Sequence, residues 1–210
     1  EGATTLMENY VGRRFQVEYA TKYFEGANRI WVTPDLLTVS TLKTDDDGDG
    51  TFENTLTTSD YVLMPFNEFP KTYIEISDNS AYTTFAKGSK KGIEIVGFWG
   101  YGESSSPYIA DTIITEALTS GETAVDISST VNLATGQTWL IDNEQYYVTN
   151  ISASTASVIC AVNGTSKASH TASTTIYIYE YPMDIRQACI DLSVALYQNR
   201  AKQGLQSEHI

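Results

Sequence analysis

Between Phe15 and Tyr101 apolar residues recur at every second position, in short runs cut by Gly, Pro, Asn and Asp. FQVEYATKYF, RIWV, LLTVSTLK, TFENTLTTSDYVL, TYIEIS and KGIEIVGFWGYG are all of this kind, and all are rich in Val, Ile, Thr, Tyr and Phe. A two-residue period puts one set of side chains on one face of a pleated strand, and the turn residues bring successive strands back beside one another. The pattern predicts an antiparallel strand series. A polar break, ESSSP at 103–107, closes it.

After the break the composition shifts. Residues 108–181 are rich in Thr, Ser and Ala and carry one basic residue, Lys167, yet TAVDIS, TWLIDNEQYYVTNIS, ASVICAV and TTIYIYEY still alternate. The turns TGQ, NISAST and NGTS separate these runs, which predicts a small all-β module. At Pro182 the period changes. Ile185, Cys189, Leu192 and Leu196 fall at i, i+4, i+7 and i+11, one apolar stripe of a helix expected from about Asp184 to Lys202, with Gly204 as its cap. The tail LQSEHI follows. At the other end TTLMENYVGRR reads as the last turns of a helix, with Leu6, Met7 and Tyr10 at helical spacing and Gly12 as its stop.

With 210 residues and 41% hydrophobic content the chain suffices for one domain with a real core, or two small ones. Its formal net charge of -13 repels polyanions, which argues against gripping nucleic acid. No apolar run approaches the length of a membrane span, and no signal-peptide pattern opens the chain. Cys160 and Cys189 lie in apolar contexts and read as free thiols of a reducing compartment. The sequons at Asn150 and Asn163 read as chance.

The stretch DDDGDGTFE places Asp45, Asp47, Asp49 and Gly50 at positions one, three, five and six of a calcium loop, with Glu53 at position nine. Position twelve, which needs a bidentate Glu, is Leu56. The flanks are strands, so Asp45, Asp47, Gly48, Asp49 and Gly50 read as a solvated hairpin tip, with a calcium site as the lesser alternative. Catalytic constellations are wanting. His170 and His209 have no partner at ligand spacing, GFWGYG fits no phosphate-binding fingerprint, and Asp142 with Glu144 is explained by a hairpin turn. No enzymatic activity and no cofactor are expected.

The ordered set ENYVGRRF, LLTVSTLKTDDDGDG, SDYVLMPFNEFP, VGFWGYG and a P-x-D-I-x-x-A helix ending near Asn-Arg resembles the head-tail connector (adaptor) proteins of tailed bacteriophages. The resemblance covers 1–106 and 182–210. The intervening part resembles a β module of phage structural proteins, in which Ile141, Asp142, Glu144, Asn163, Gly164, Thr165 and His170 match the pattern and read as turn and packing determinants. The resemblance implies an α+β, strand-rich fold, namely a connector core of helices plus an antiparallel β extension formed by 1–106 and 182–210, with an inserted small all-β domain at 107–181. Relatives carry further helices before the ENY-x-GRRF segment, so the core is expected to be incomplete here.

The function this implies is a structural virion protein. It would join the portal to the tail as a homo-oligomeric ring of roughly twelve copies around the DNA exit channel. Such a ring carries roughly 150 negative charges, suited to double-stranded DNA passing without specific binding. The expected partners are the portal protein and a tail or stopper protein, with no membrane; the expected location is the virion neck, after assembly in the host cytoplasm. Portal or subunit docking is assigned to Ile185, Cys189, Leu192, Leu196, Arg200, Leu205 and Ile210. The alternative is a secreted β-sandwich binding module, an adhesin or sugar binder that uses Trp31, Trp99, Trp139 and the Asp loop with calcium.

Overall fold

The computed structural model describes residues 2–200. Helix α1 (Gly2–Val11) leads into the first sheet, which holds β1 (Glu18–Phe24), β2 (Ile30–Thr44), β3 (Asn54–Leu56), β4 (Tyr61–Met64), β5 (Lys71–Ile76) and β6 (Ile93–Trp99). Its order is β1-β6-β2-β5-β4, with β3 paired to β2, and every pairing is antiparallel. The second sheet holds β7 (Tyr108–Ile113), β8 (Ala124–Asp126), β9 (Thr138–Ile141), β10 (Glu144–Ser152), β11 (Thr155–Ile159) and β12 (Thr175–Tyr179), in the order β7-β12-β9-β10-β11-β8. Helix α2 (Met183–Gln198) ends the described chain.

Alternation becomes burial where one face of a strand is covered. Along β6 the residues Ile93, Ile95, Gly97 and Trp99 are buried and those between them are half-buried. Gly97 is needed there because a Cβ would lie 2.0 Å from the Thr38 carbonyl oxygen of β2. The runs RIWV and LLTVSTLK, separate in the sequence, form one strand of 15 residues. Pro34 falls where the pairing of β2 to β5 skips from Val32 to Leu36, a place that asks no ladder hydrogen bond of its missing N–H.

Each sheet has its own core. Leu36, Leu42, Ile74, Ile76, Phe85, Ile95 and Trp99 build the first. Ile114, Val125, Trp139, Ile141, Tyr146, Val148 and Ile176 build the second. The α+β class expected from the resemblance is corrected by this architecture. Both cores are made from strand and loop residues, only two helices occur among the described residues, and α2 buries none of its residues. The protein is mostly β, two antiparallel sheets with a helix pair attached, and no helical connector core is present among the described residues. The physical reason lies in the chain itself, since its alternating runs supply most of the large apolar side chains that the cores use.

Candidate assembly surface

The surface that the folded chain leaves unfinished is its helix pair. Tyr179, four residues before α2, donates its hydroxyl to the carbonyl of Phe15, four residues beyond α1, at 2.8 Å. The end of α1 therefore meets the start of α2. Farther out, Thr4 Oγ1 and Cys189 Sγ are 3.6 Å apart, so the two helices run antiparallel. The stripe read from the sequence, Ile185, Cys189, Leu192 and Leu196, is half-buried on the α1 side. A second stripe was missed. Met183, Ile190, Val194 and Tyr197 fall at i, i+7, i+11 and i+14, and all are exposed, Met183 at 74% and Tyr197 at 67%. Alternative seven- and four-residue steps from Met183 were the available signal. At 3.6 residues per turn the two stripes lie about 140° apart around α2. On α1, Leu6, Tyr10 and Val11 are likewise exposed.

Arg200 stacks its guanidinium 3.9 Å from the centre of the Tyr197 ring and donates to the Tyr197 carbonyl, which closes the end of α2 on itself. Asn199 adds a cap, with its backbone N–H and its side-chain amide both donating to Ala195. The helix ends before the expected Lys202. Leu205 and Ile210, the remaining docking residues, lie outside the described residues.

Beneath the helix pair runs an aromatic seam that joins the two sheets. Val17, Leu37 and Tyr179 are its buried centre, with Phe69, Phe98, Tyr108 and Tyr181 packed around them. Tyr108 and Tyr179 meet edge to face at 5.5 Å, and Tyr179 and Tyr181 at 4.4 Å. Burial pushes the phenols of Tyr108, Tyr179 and Tyr181 above the usual range, with the other seam tyrosines adding to the effect at Tyr108 and Tyr179. Between the helices, Phe15, Tyr147 and Tyr181 lies a groove of about 550 Å³.

Residues 45–53 join β2 to β3, and the first carboxylate is spent on the loop itself. Asp45 is 1% exposed and accepts from the backbone N–H groups of Gly48 at 2.7 Å and Gly50 at 2.9 Å. Asp47 accepts from the amide of Asp49, and Asp49 from that of Thr51. One carboxylate oxygen from each of Asp45, Asp47, Asp49 and Glu53 lies within 4.8 Å of the others. Lys87, Lys90 and Lys91 face them across a shallow cleft.

Three of the residues that match the phage β module, Asp142, Glu144 and His170, meet around one buried imidazole. His170 Nδ1 is 2.7 Å from Asp142 and its Nε2 is 3.1 Å from Glu144. Glu144 is fully buried and also accepts from the backbone N–H groups of Ala161 and Ala168. The imidazole is closed off from solvent and every oxygen of Glu144 is engaged, so the cluster pins the 161–170 loop to β10 and leaves no face for a substrate. Sequence spacing gave no warning of it, because Asp142 and His170 are 28 residues apart. Trp99 and Trp139 are buried and donate their indole N–H groups to Ala20 and Gln137, so neither offers a ring face to a sugar. Cys160 donates to the Glu122 carbonyl, and burial raises its thiol. Among the described residues no helix is long and apolar enough to cross a membrane.

Comparison with protein-family models, with curated proteins and with solved structures finds no match to this chain.

Proposed function

We propose that this chain is a structural subunit of a tailed-phage neck, assembling as a ring between portal and tail around the DNA exit channel. One observation carries the reading: α2 is 16 residues long, holds no buried residue and is apolar along two stripes. A helix of this length is marginal in water unless its apolar faces are packed, so the uncovered stripe asks for a partner. The acidic surface, with net charge -13, suits a conduit past which DNA slides. The ordered sequence motifs supply the virion context. Docking on the portal and on a tail or stopper protein belongs to the same proposal. Mass measurement of the purified protein in solution, with negative-stain imaging, tests it. Closed rings are expected; a monomer at every concentration, with no attachment to portal-bearing heads, would overturn it.

A further inference from the structure

We infer that the cleft where the segment after α1 meets β1, β2 and the end of β6 is a binding site for a phosphate group, held by Arg13, Arg14 and Lys22. The site is independent of ring assembly and works within a single copy. The three cations line one cleft of about 480 Å³ together with Glu18, Asp35 and Gly100. A space of that size takes a phosphate with a small organic group attached. Positive charge gathers here against the trend of the chain, whose formal net charge is -13.

The segment that carries the arginines is fixed at each step. Gly12 takes a φ of 69° and donates its N–H to the Glu8 carbonyl, which turns the chain out of α1. The Tyr101 N–H donates to the Arg14 carbonyl at 3.1 Å, and the Tyr101 ring meets Phe15 edge to face at 5.9 Å. Gly100 packs so closely against the segment that a Cβ there would lie 2.5 Å from the Gln16 carbonyl oxygen. The donors are therefore held in place before any ligand arrives.

Two of the cations are each positioned by a carboxylate and an aromatic ring. Arg13 Nε is 3.3 Å from Asp35, and its guanidinium lies 5.4 Å from the centre of the Tyr101 ring. With Nε turned to Asp35, the two terminal amino groups keep their N–H donors for another acceptor. Lys22 Nζ is 2.8 Å from Glu18 and 4.8 Å from the centre of the Trp99 ring. Arg14 is exposed, and its guanidinium has no partner among the described residues. Glu18 and Asp35 are thus each matched to one cation, and the guanidinium of Arg14 is left over. A phosphomonoester carries three acceptor oxygens and a charge of about -1.5 to -2 at neutral pH, which suits two guanidinium groups and an ammonium together. A carboxylate, with two oxygens and a single charge, satisfies fewer of these donors. The acidic remainder of the chain repels a long polyanion, so a small phosphomonoester is favoured over a nucleic-acid backbone as the source of the phosphate.

Calorimetry on the whole protein in a phosphate-free buffer of low ionic strength tests this, with inorganic phosphate and then a nucleoside monophosphate as probes. The unaltered protein is expected to bind each saturably, and Arg14→Gln to lose more than about tenfold in affinity. Because the Arg14 side chain makes no ion pair or hydrogen bond among the described residues, this variant should keep its fold, which near-ultraviolet dichroism checks. Lys43→Gln removes a cation that pairs with Glu94 outside the cleft, and it should bind as the unaltered protein does. Short duplex DNA separates the two sources. A duplex that fails to bind leaves the small monoester as the occupant; one that binds, and is lost in Arg14→Gln, makes a nucleic-acid backbone the source of the same phosphate contact. No saturable heat at millimolar phosphate, equal affinities in Arg14→Gln and Lys43→Gln, or acetate bound as tightly as phosphate would each overturn the site.

Discussion

Gln145 of β10 donates its side-chain amide to the backbone carbonyl of Val17 at 2.7 Å, across 128 residues of chain and from one sheet unit to the other. The same nitrogen donates to the Tyr108 hydroxyl at 2.8 Å, and the Gln145 oxygen accepts from Asn163. Gln145 is 1% exposed, so these bonds are made out of water. Replacing it with leucine leaves a buried carbonyl without a donor, and the expected cost is about 1–3 kcal/mol. Urea unfolding followed by tyrosine fluorescence measures this, and a change within experimental scatter would show that the seam does not depend on the bond.

The seam also sets a response to alkali. The phenols of Tyr108, Tyr179 and Tyr181 are raised by burial, so in the folded protein they stay neutral at a pH where the unfolded chain has begun to ionise its tyrosines. A folded value above the unfolded one gives stability that is complete below the unfolded value, about pH 10, and is lost as pH rises further. The melting temperature should fall above that pH, with phenolate absorbance from these groups appearing together with unfolding. Early, non-cooperative titration of all 14 tyrosines would contradict the seam as described.

His170 sits between two carboxylates, one of which, Glu144, has no exposure to solvent. Removing the ring in His170→Ala leaves Glu144 buried with its backbone donors alone. Taking a donor from a buried acceptor costs about 1–3 kcal/mol, so the 161–170 loop should lose amide-exchange protection and the midpoint of denaturation should drop, and unchanged protection would mean that the ring does not hold the loop. A double variant with Glu144→Gln should recover none of the loss, because its amide NH2 would face one of the backbone N–H donors of Ala161 and Ala168.

At the β2–β3 tip, Asp45→Ala removes the acceptor of two loop amides, those of Gly48 and Gly50. We expect a loss of about 1–3 kcal/mol, confined to the loop and the β3 pairing in hydrogen exchange. Calcium added to the unaltered protein is expected to give no specific heat in calorimetry, because the first carboxylate is already engaged by the loop and position twelve is Leu56. A micromolar site reversed by chelator would make the four clustered carboxylates a metal centre instead of a turn.

Much of the strand content was legible in local pattern. The runs around Ile93–Trp99 and Lys71–Ile76 alternate because one face of each strand is covered, and alternation is a property of a few neighbouring residues. β9 was read within the alternating run TWLIDNEQYYVTNIS, yet it does not alternate. Its four residues, Thr138–Ile141, are all buried, since the strand lies between β12 and β10 with both faces covered, and a continuous run carries no period. On α2 the stripe of Ile185, Cys189, Leu192 and Leu196 was found, whereas the opposite one was overlooked because a helix packed on one side needs only one.

Most strands, the break near Pro107, the two helix segments and the acidic character could be read from the residues in order, since each depends on residue type and short spacing. Folding in three dimensions was needed to show that RIWV and LLTVSTLK are one strand, that Gln145 reaches Val17, that Asp142, Glu144 and His170 share one cluster, and that the helices stand outside both cores. These are contacts between residues far apart in the chain. Their partners are chosen by how whole sheets stack and by which buried polar groups remain to be satisfied, and neither choice leaves a periodic trace in local sequence.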